Sequence, residues 1–145
     1  MSRSPEHPVE LVGTGLDPAR LPPEAARIVA EADLLIGGER LLAALQDHPA
    51  RKLPIRAPVD EALEAADRES RAGRRVVVLA DGDPGFFGIG RRLVQALGAD
   101  RVRIHPNITV LQAAAARLKT PWEDVRTVSL HGRFDLWPLR RALAG

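Results

Sequence analysis

Cysteine is absent from the 145-residue sequence, and aromatic residues make up only 3% of it. The lack of cysteine excludes disulfides, thiolate metal sites and a cysteine nucleophile. The scarcity of aromatic rings disfavours the stacking surfaces that bind single-stranded nucleic acids. No apolar run approaches the roughly 20 residues of a membrane-spanning helix, and residues 1–8 are polar, unlike a signal sequence. We therefore expect a cytoplasmic protein that binds neither membranes nor nucleic acids.

The charge balance does not alter that expectation. Lysine and arginine total 21 against 19 aspartate and glutamate residues, yet the calculated isoelectric point is about 9.9. Tyrosine is also missing, so almost nothing titrates between the α-amino group and the two lysines, Lys52 and Lys119. The small positive excess therefore persists to high pH. The arginines stand in pairs spread along the chain, whereas a nucleic-acid-binding patch would need them clustered.

Hydrophobic runs of strand type alternate with segments of helical periodicity. We predict strands at 9–13, 34–37, 75–80, 101–104 and 125–129, and a weak edge strand at 52–55 that Pro54 interrupts. Helices are predicted at 22–32, 39–46, 59–72, 87–97, 109–118 and 135–144, and Thr120 to Glu123 has the pattern of a capping box. This order predicts a single α/β domain over residues 1–145, with an open, mostly parallel five-stranded sheet and helices on both faces.

Ligands of such sheets bind beyond the carboxyl ends of the strands. Four of the five loops that follow the main predicted strands contain glycine, which lets the backbone approach a ligand closely. The loops are Gly13-Thr-Gly-Leu-Asp17, Gly37-Gly-Glu-Arg40, Asp81-Gly-Asp-Pro-Gly85, His105-Pro-Asn-Ile-Thr109 and His131-Gly-Arg133. This clustering favours a small-molecule site at one edge of the sheet.

Several common motifs are missing from these loops. Gly13-Thr-Gly15 lacks the third glycine of a dinucleotide fingerprint, since position 18 is proline, and the chain has no P-loop. No serine lies in a nucleophile elbow. His105 and His131 have no neighbouring ligands at metal-binding spacing, so we expect no metal site. Residues 81–85 are equally consistent with a functional loop and with an Asp-Pro turn that leads into the next helix.

Read together, the loops resemble those of the tetrapyrrole methylases of corrin biosynthesis. The motifs are Val12-Gly-Thr-Gly15, Leu34-Leu-Ile-Gly-Gly-Glu-Arg40, Gly82-Asp-Pro-Gly-Phe-Phe-Gly88 and Pro106-Asn-Ile-Thr109. Residues 37–40, 118–122 and 128–133 are similar to the precorrin-6Y C5,15-methylating and cobalt-precorrin C5-methylating branch of that family. The resemblance extends from Val9 to Leu143.

The resemblance implies a C-methyltransferase that uses S-adenosyl-L-methionine to methylate a meso carbon of a precorrin. In the family, the methyl donor lies in a cleft between two α/β domains. Motif by motif, the donor contacts carried over to this chain are Leu16, Asp81, Gly82, Asp83, Phe86, Thr109 and Val110. The family often has Gly-Pro-Gly where this chain has Gly15-Leu-Asp17, and serine in place of Asp81. Contacts made through the backbone would tolerate both changes.

Methyl transfer from a sulfonium is an in-line displacement that needs alignment and desolvation more than a protein nucleophile. This fits the lack of a catalytic dyad or triad. Asp17 and Asp83 are the candidate catalytic residues, as acceptors of the proton that the substrate loses. Arg40 and Arg133 are either clamps for the substrate carboxylates or ordinary surface arginines.

Members of the family are longer by a second domain. The chain is therefore expected to be the N-terminal, donor-binding half of a longer enzyme that forms homodimers. The rest of that enzyme would be a C-terminal domain and, in the bifunctional type, a decarboxylating methyltransferase domain. Alone, it is expected to bind the donor weakly and to turn over negligibly. The alternatives are a methylase of another tetrapyrrole, of the siroheme type, and a non-catalytic α/β binding or assembly module.

Overall fold

The computed structural model describes residues 7–145, which divide into two compact units: one ends at Val110, and the other runs from Leu111 to Gly145. The first unit holds five strands: β1 (Val9–Gly13), β2 (Leu34–Gly37), β3 (Arg51–Pro54), β4 (Val76–Ala80) and β5 (Val102–His105). The helices are α1 (Pro23–Ala30), α2 (Glu39–Ala44), α3 (Asp60–Arg71), α4 (Gly90–Leu97), α5 (Val110–Leu118) and α6 (Trp137–Leu143). Among the helices within residues 7–145, none is long and apolar enough to cross a membrane.

The five strands form one parallel sheet in the order β3-β2-β4-β1-β5. All five residues of the middle strand β4, Val-Val-Val-Leu-Ala, are buried. Leu11 of β1 lies opposite Val78 of β4. A continuous apolar run of this kind is typical of a parallel strand covered on both faces. The predicted α/β class and the mostly parallel five-stranded sheet are confirmed.

Two apolar clusters cover the two faces of the sheet. On one face, α3 and α4 pack on the side chains of alternate strand residues, among them Leu11, Ile36 and Val78. On the other face, α1 and α2 pack on the intervening residues, among them Leu35 and Val77. The period of two along each strand therefore assigns successive residues to opposite layers, and the predicted placement of helices on both faces is confirmed.

The predicted strand at 125–129 is wrong, because these residues have no regular secondary structure. The fifth strand is Arg51–Pro54, predicted as a weak edge strand over 52–55. Pro54 is tolerated because it ends an edge strand, where a missing N–H breaks no central ladder. The run Val-Arg-Thr-Val-Ser over residues 125–129 is rich in the β-branched residues that favour strands, but pairing needs a neighbour with free backbone groups.

Two helix starts also differ from expectation. The capping box over 120–123 begins no helix, since the Thr120 hydroxyl donates to the Leu118 carbonyl (3.3 Å) and Val125 N–H closes a turn on the Trp122 carbonyl (3.1 Å). The helix predicted from residue 87 begins at Gly90, because Phe87 adopts a φ of +53° that a right-handed helix excludes.

An arginine network anchors α3. The side chain of Glu69 is only 6% exposed and pairs with Arg51 (3.1 Å), Arg68 (3.5 Å) and Arg74. The hydrogen bond from Arg74, helped by Arg51, outweighs burial and holds the pKa of Glu69 below its ordinary value. Arg51 opens β3, so the network ties the edge strand to the helix.

Asp67, two residues earlier on α3, has a similar environment. Arg71 donates to it over 3.0 Å, and Arg101 donates both to it and to the Ser70 hydroxyl (2.7 Å). Burial raises the pKa of Asp67, but the hydrogen bonds from Arg101 and Arg71 outweigh it and leave the pKa lowered. Both carboxylates therefore favour the folded state in their charged form.

We expect Glu69→Gln to lower the free energy of unfolding at pH 7 by about 1–2 kcal/mol, because a charged acceptor of several arginines is lost while those arginines remain largely solvated. A carboxyl whose pKa is lowered by folding stabilises the protein above its unfolded pKa, near 4.5, and loses that effect as the pH falls through its native pKa. The deficit of the variant should therefore shrink below about pH 4.5. Urea unfolding at pH 7 and pH 3 measures both effects.

Glu64→Gln is the matched control, since Glu64 is exposed on the same helix. It should change the free energy of unfolding by less than about 0.5 kcal/mol at either pH. Equal stability losses in the two variants would contradict the role given to Glu69.

Candidate ligand-binding site

The connections of β1 and β4 fix where a ligand can approach the sheet. The two strands are neighbours, but the chain leaves β1 toward α1 on one face and leaves β4 toward α4 on the other. In open parallel sheets, ligands bind beyond the carboxyl ends of the strands at such a divergence. The loops at residues 13–17 and 81–85 flank this point.

Backbone hydrogen bonds join these two loops to each other. Thr14 is buried, and both its N–H and its hydroxyl donate to the Ala80 carbonyl (2.8 and 3.1 Å). Gly15 and Gly82 then exchange N–H to carbonyl bonds of 3.1 Å in each direction, as an isolated antiparallel bridge. Both glycines have φ near +60°, the region that favours glycine. The loops are therefore held in a fixed arrangement beyond the sheet.

Close packing explains the spacing of Gly13 and Gly15. A Cβ atom on Gly13 would lie 2.6 Å from the Gly82 carbonyl oxygen, and one on Gly15 would lie 2.7 Å from the side-chain oxygen of Asn107. Neither distance is compatible with a side chain. In this chain the Gly-x-Gly pair makes room for neighbouring loops.

Asp83 and Asn107 connect a third loop, the one after β5. One carboxylate oxygen of Asp83 accepts the N–H of Asn107 (3.0 Å) and the other accepts the N–H of Gly85 (2.9 Å). The side-chain amide of Asn107 donates to the Gly13 carbonyl (3.0 Å). We call Gly13, Gly15, Gly82, Asp83 and Asn107 the clasp. It links the loops that follow β1, β4 and β5.

The sequence-predicted donor contacts of the first unit border the clasp. Gly82 and Asp83 belong to it, and Thr109 is adjacent and buried, since a Cβ on Gly82 would lie 3.5 Å from the Thr109 Cα. Leu16 follows Gly15 and is 61% exposed, and Val110 is exposed at the start of α5.

Phe86 completes this set. It is half-buried, and its ring packs edge-on against Phe87 with 4.7 Å between ring centroids. Phe87 itself is exposed. Apolar side chains thus remain accessible beside loops that are rich in backbone donors and acceptors, and such a mixture is typical of small-molecule sites.

Arg40 and Asp81 are brought together by the ends of β2 and β4. Their side chains form an ion pair, and they are 67% and 66% exposed. The pair joins a residue predicted to clamp the substrate to one predicted to contact the donor. Exposed pairs contribute only about 0–1 kcal/mol, so either partner can exchange for a ligand at little cost.

The remaining predicted residues have simpler surroundings. Asp17 is exposed, and one of its oxygens accepts the N–H of Ala19 (2.9 Å) in a tight turn. Arg133 belongs to the second unit, where its side chain is exposed and its N–H donates to the Leu130 carbonyl (3.1 Å).

The two histidines considered from the sequence differ in environment. His105 contacts Glu10 through its Nε2 atom (2.6 Å) between β5 and β1, whereas His131 is exposed in a turn of the second unit. Within residues 7–145, no group of three or more histidine, aspartate or glutamate side chains is placed to hold a metal ion.

A cavity of about 210 Å³ lies near the amino ends of β1 and β4, away from the clasp, with Arg27, Arg75 and Arg103 among its lining residues. These arginines pair with Glu10 and Glu31 in its walls. Its charges therefore hold the cavity walls together, and the candidate site remains at the carboxyl edge.

Asn107 received no role from sequence reasoning, although its loop was singled out. The sequence offers only a weak signal for such a role. Asn107 is an amide residue directly after Pro106, which follows β5, and the chain has two closely spaced glycines at the end of β1. Only the folded chain brings residue 107 against residues 13 and 15.

Known proteins similar to this chain in sequence identify its family. The family described as Tetrapyrrole (Corrin/Porphyrin) Methylases matches residues 8–144. The cobalt-precorrin-7 C(5)-methyltransferase of Salmonella typhimurium is 35% identical over 126 residues, which cover 85% of this chain and 62% of that protein. The precorrin-6Y C(5,15)-methyltransferase [decarboxylating] of Sinorhizobium sp is 37% identical over 129 residues, covering 85% of this chain and 30% of that protein.

Two solved structures are similar as well. The cobalamin biosynthesis precorrin-6Y methylase of Archaeoglobus fulgidus has a TM-score of 0.68 at 28% identity, covering 86% of this chain and 65% of that one. The uroporphyrin-III C-methyltransferase of Thermus thermophilus, solved with S-adenosylhomocysteine, has a TM-score of 0.62 at 33% identity, covering 74% and 51%.

The chain thus spans about six tenths of the length of the Salmonella relative and three tenths of the Sinorhizobium one. Within that span, the parallel sheet and the order of its loops are consistent with the family that matches residues 8–144. The chain belongs to the tetrapyrrole methylase family.

Proposed function

We propose that this chain is the donor-binding part of an S-adenosylmethionine-dependent methyltransferase that methylates C5 of a precorrin in cobalamin biosynthesis. The observation that carries the proposal is the clasp. It fixes the loops after β1, β4 and β5 at the divergence of the sheet, where ligands of open sheets bind. The choice of C5 is supported by 35–37% identity to relatives named for methylation at that carbon.

The residues at the clasp fit a ligand of this kind. S-adenosylmethionine, when bound, supplies a methyl group activated by a sulfonium. Leu16 and Phe86 offer apolar surface, and the loop backbone at Gly82 is free of side-chain bulk. Because the loops are already bonded to one another, they can orient a ligand without first becoming ordered, which lowers the entropic cost of alignment.

The two carboxylates predicted to accept a proton differ in availability. Both oxygens of Asp83 accept backbone N–H groups, whereas Asp17 is exposed and the N–H of Ala19 bonds one of its oxygens. The oxygens of Asp83 are therefore already engaged by backbone donors that hold the loops, whereas one oxygen of Asp17 accepts no hydrogen bond from the described residues. Within the proposed reaction, Asp17 is therefore the better candidate for the proton acceptor, and Asp83 acts by positioning the loops.

The proposed substrate carries many carboxylates, which suits Arg40 and Arg133. Arg40 lies beside the donor loops and is paired with Asp81. An incoming carboxylate would replace Asp81 as the partner of Arg40, with bidentate geometry that a guanidinium favours. Arg133, in the second unit, remains a candidate through its place in the motif of residues 128–133.

A methylase of another tetrapyrrole is the second candidate, and the similarity to uroporphyrin-III C-methyltransferase supports it. We place it second because that similarity covers 74% of this chain, against 85% for each of the two relatives named for C5. The family resemblance also supports three further proposals: a homodimer, the presence of further domains, and the status of residues 1–145 as one domain of a longer enzyme. The proposed cytoplasmic location rests on the lack of cysteine and of membrane-spanning or signal-type runs in the sequence.

Donor binding can be tested on the chain as it is. We expect S-adenosylhomocysteine to raise the midpoint of thermal unfolding, because a ligand that binds only the native state stabilises it, and we expect NAD and ATP to have no effect. Titration calorimetry should give a dissociation constant well above the low-micromolar range, since exposed Leu16 and Val110 leave the loops open to water. Low-micromolar affinity would contradict the expected weakness. No response to S-adenosylhomocysteine would favour the assembly module.

The role of Arg40 can be tested with uroporphyrin I, a tetrapyrrole bearing eight carboxylates, by fluorescence titration at low salt. Arg40→Gln should weaken its binding about threefold to tenfold, and Asp81→Asn should strengthen it, because Arg40 is then released from its partner. Because a general attraction to the polyanion would give the same two signs, the size of the Arg40→Gln effect has to be compared with that of a charge-matched variant elsewhere on the surface.

Arg91→Gln is the control, since it removes one positive charge from the exposed surface of α4. It should change uroporphyrin affinity by less than twofold. If Arg91→Gln weakened binding as much as Arg40→Gln, the attraction would be general and Arg40 would have no special role.

A further inference from the structure

We infer that Asn107 is a positioning residue of the donor site: its side-chain amide holds the loop after β5 against the end of β1, while its backbone N–H holds the same loop against Asp83 of the loop after β4. The inference rests on the proposed function for its ligand and on the geometry of the clasp for its mechanism. Asn107 itself is half-buried and lies in the loop after β5.

The side chain of Asn107 uses both of its functional groups. The NH₂ group donates to the Gly13 carbonyl (3.0 Å), and the oxygen accepts the N–H of Ile108 (2.8 Å). Its backbone N–H donates to Asp83 (3.0 Å). One residue therefore contacts the loops after β1 and β4 while its own loop is stiffened by the bond to Ile108.

The chemistry of this position requires a short amide. Aspartate has the same shape, but as a carboxylate it would place an acceptor against the Gly13 carbonyl, where a donor is needed. Alanine would leave the Gly13 carbonyl and the Ile108 N–H without these partners. Glutamine would need additional space on the side where Gly15 already packs, because even a Cβ on Gly15 would lie 2.7 Å from the Asn107 oxygen.

Asp83 completes the arrangement from the opposite side. Its carboxylate bonds the N–H of Asn107 and, two residues along its own loop, that of Gly85. The same carboxylate thus fixes the turn that carries Phe86 and its position relative to Asn107. The Asn107 side chain thus bonds Gly13, and the Asp83 side chain bonds the turn that carries Phe86.

The clasp lies outside the two apolar clusters that stabilise the sheet, since none of its residues belongs to either. Loss of the Asn107 side chain should therefore leave the sheet and the Gly15–Gly82 bridge intact, and allow the loop after β5 to shift relative to Gly13. The expected consequence is reduced donor affinity with little change in overall secondary structure.

The experiment compares Asn107→Ala and Asn107→Asp with the wild-type chain, using S-adenosylhomocysteine as the probe in titration calorimetry and recording ¹H–¹⁵N spectra of each protein. Both variants should bind about tenfold more weakly at pH 7.5. Amide resonances of Gly15, Gly85 and Ile108 should move, whereas those of Leu35 and Val77 in the sheet should not. Gln95→Ala removes an exposed amide from α4 and should bind within twofold of wild type.

A pH series separates positioning from a general structural defect. As the pH falls from 7.5 to about 4, near the ordinary pKa of an aspartate, part of the carboxyl of Asn107→Asp becomes protonated and can donate to the Gly13 carbonyl, so its affinity should partly recover relative to wild type. Asn107→Ala has no such group and should not recover. Asn107→Asp also carries the test if Asn107→Ala fails to fold, because it preserves the volume of the side chain.

The outcomes distinguish this inference from the proposed function. Unchanged affinity in both variants, or the absence of any recovery in Asn107→Asp at low pH, would overturn the positioning role. A wild-type chain that does not bind S-adenosylhomocysteine would count against the proposed function. The spectra would then test separately whether Asn107 positions the loops of the clasp. In that case, unmoved Gly15 and Gly85 resonances in the variants would overturn it, and moved resonances would support it.

Discussion

The pairing of β1 with β4 is the constraint on which the rest of the site depends. The two strands are adjacent and parallel, and their register places Gly13 beside Ala80 at the carboxyl edge. Their connections leave toward opposite faces, so the first residues of both loops must share the space directly above the sheet. Glycine at 13, 15 and 82 allows this, and the Gly15–Gly82 bridge then satisfies the backbone groups that such a close approach would otherwise leave without partners.

The sheet could be predicted because its signals are local. The β-branched run that forms β4 and the periodic alanines and single leucine of α3 identify their elements within a few residues. The pattern at 125–129 looks equally good, but whether a segment becomes a strand depends on a neighbour with free backbone groups, and local sequence does not report this. The same reason explains the opposite outcome at Arg51–Pro54, where a weak pattern forms a strand because β2 lies beside it.

The candidate site shows the same difference between what local sequence indicates and what depends on neighbours in the fold. The sequence indicated which loops meet, since parallel strands bring their carboxyl ends to one edge, and the resemblance to the methylase family named residues 81–83 and 109 within those loops as candidates. It could not indicate how individual side chains are used. Asp83 has the chemistry of a base, yet both of its oxygens hold backbone N–H groups. Asn107 has the chemistry of an ordinary turn residue, yet it bonds two other loops. Residue type limits the possible roles, and the partners supplied by the fold choose among them.

The arginine-rich composition takes on a different meaning in the folded chain. Most of the arginines with described partners pair with carboxylates that hold elements together, as Arg51 and Arg74 do with Glu69, so the high isoelectric point says little about ligands. Arg40 differs in its position rather than in its charge, because its partner Asp81 lies in a loop of the clasp and both side chains are mostly exposed. Under the proposed function, a cationic donor and an anionic acceptor would each compete for one half of this pair. Binding of either one would then release the residue that attracts the other, so a weak surface ion pair at this edge can couple the two ligands without any movement of the sheet.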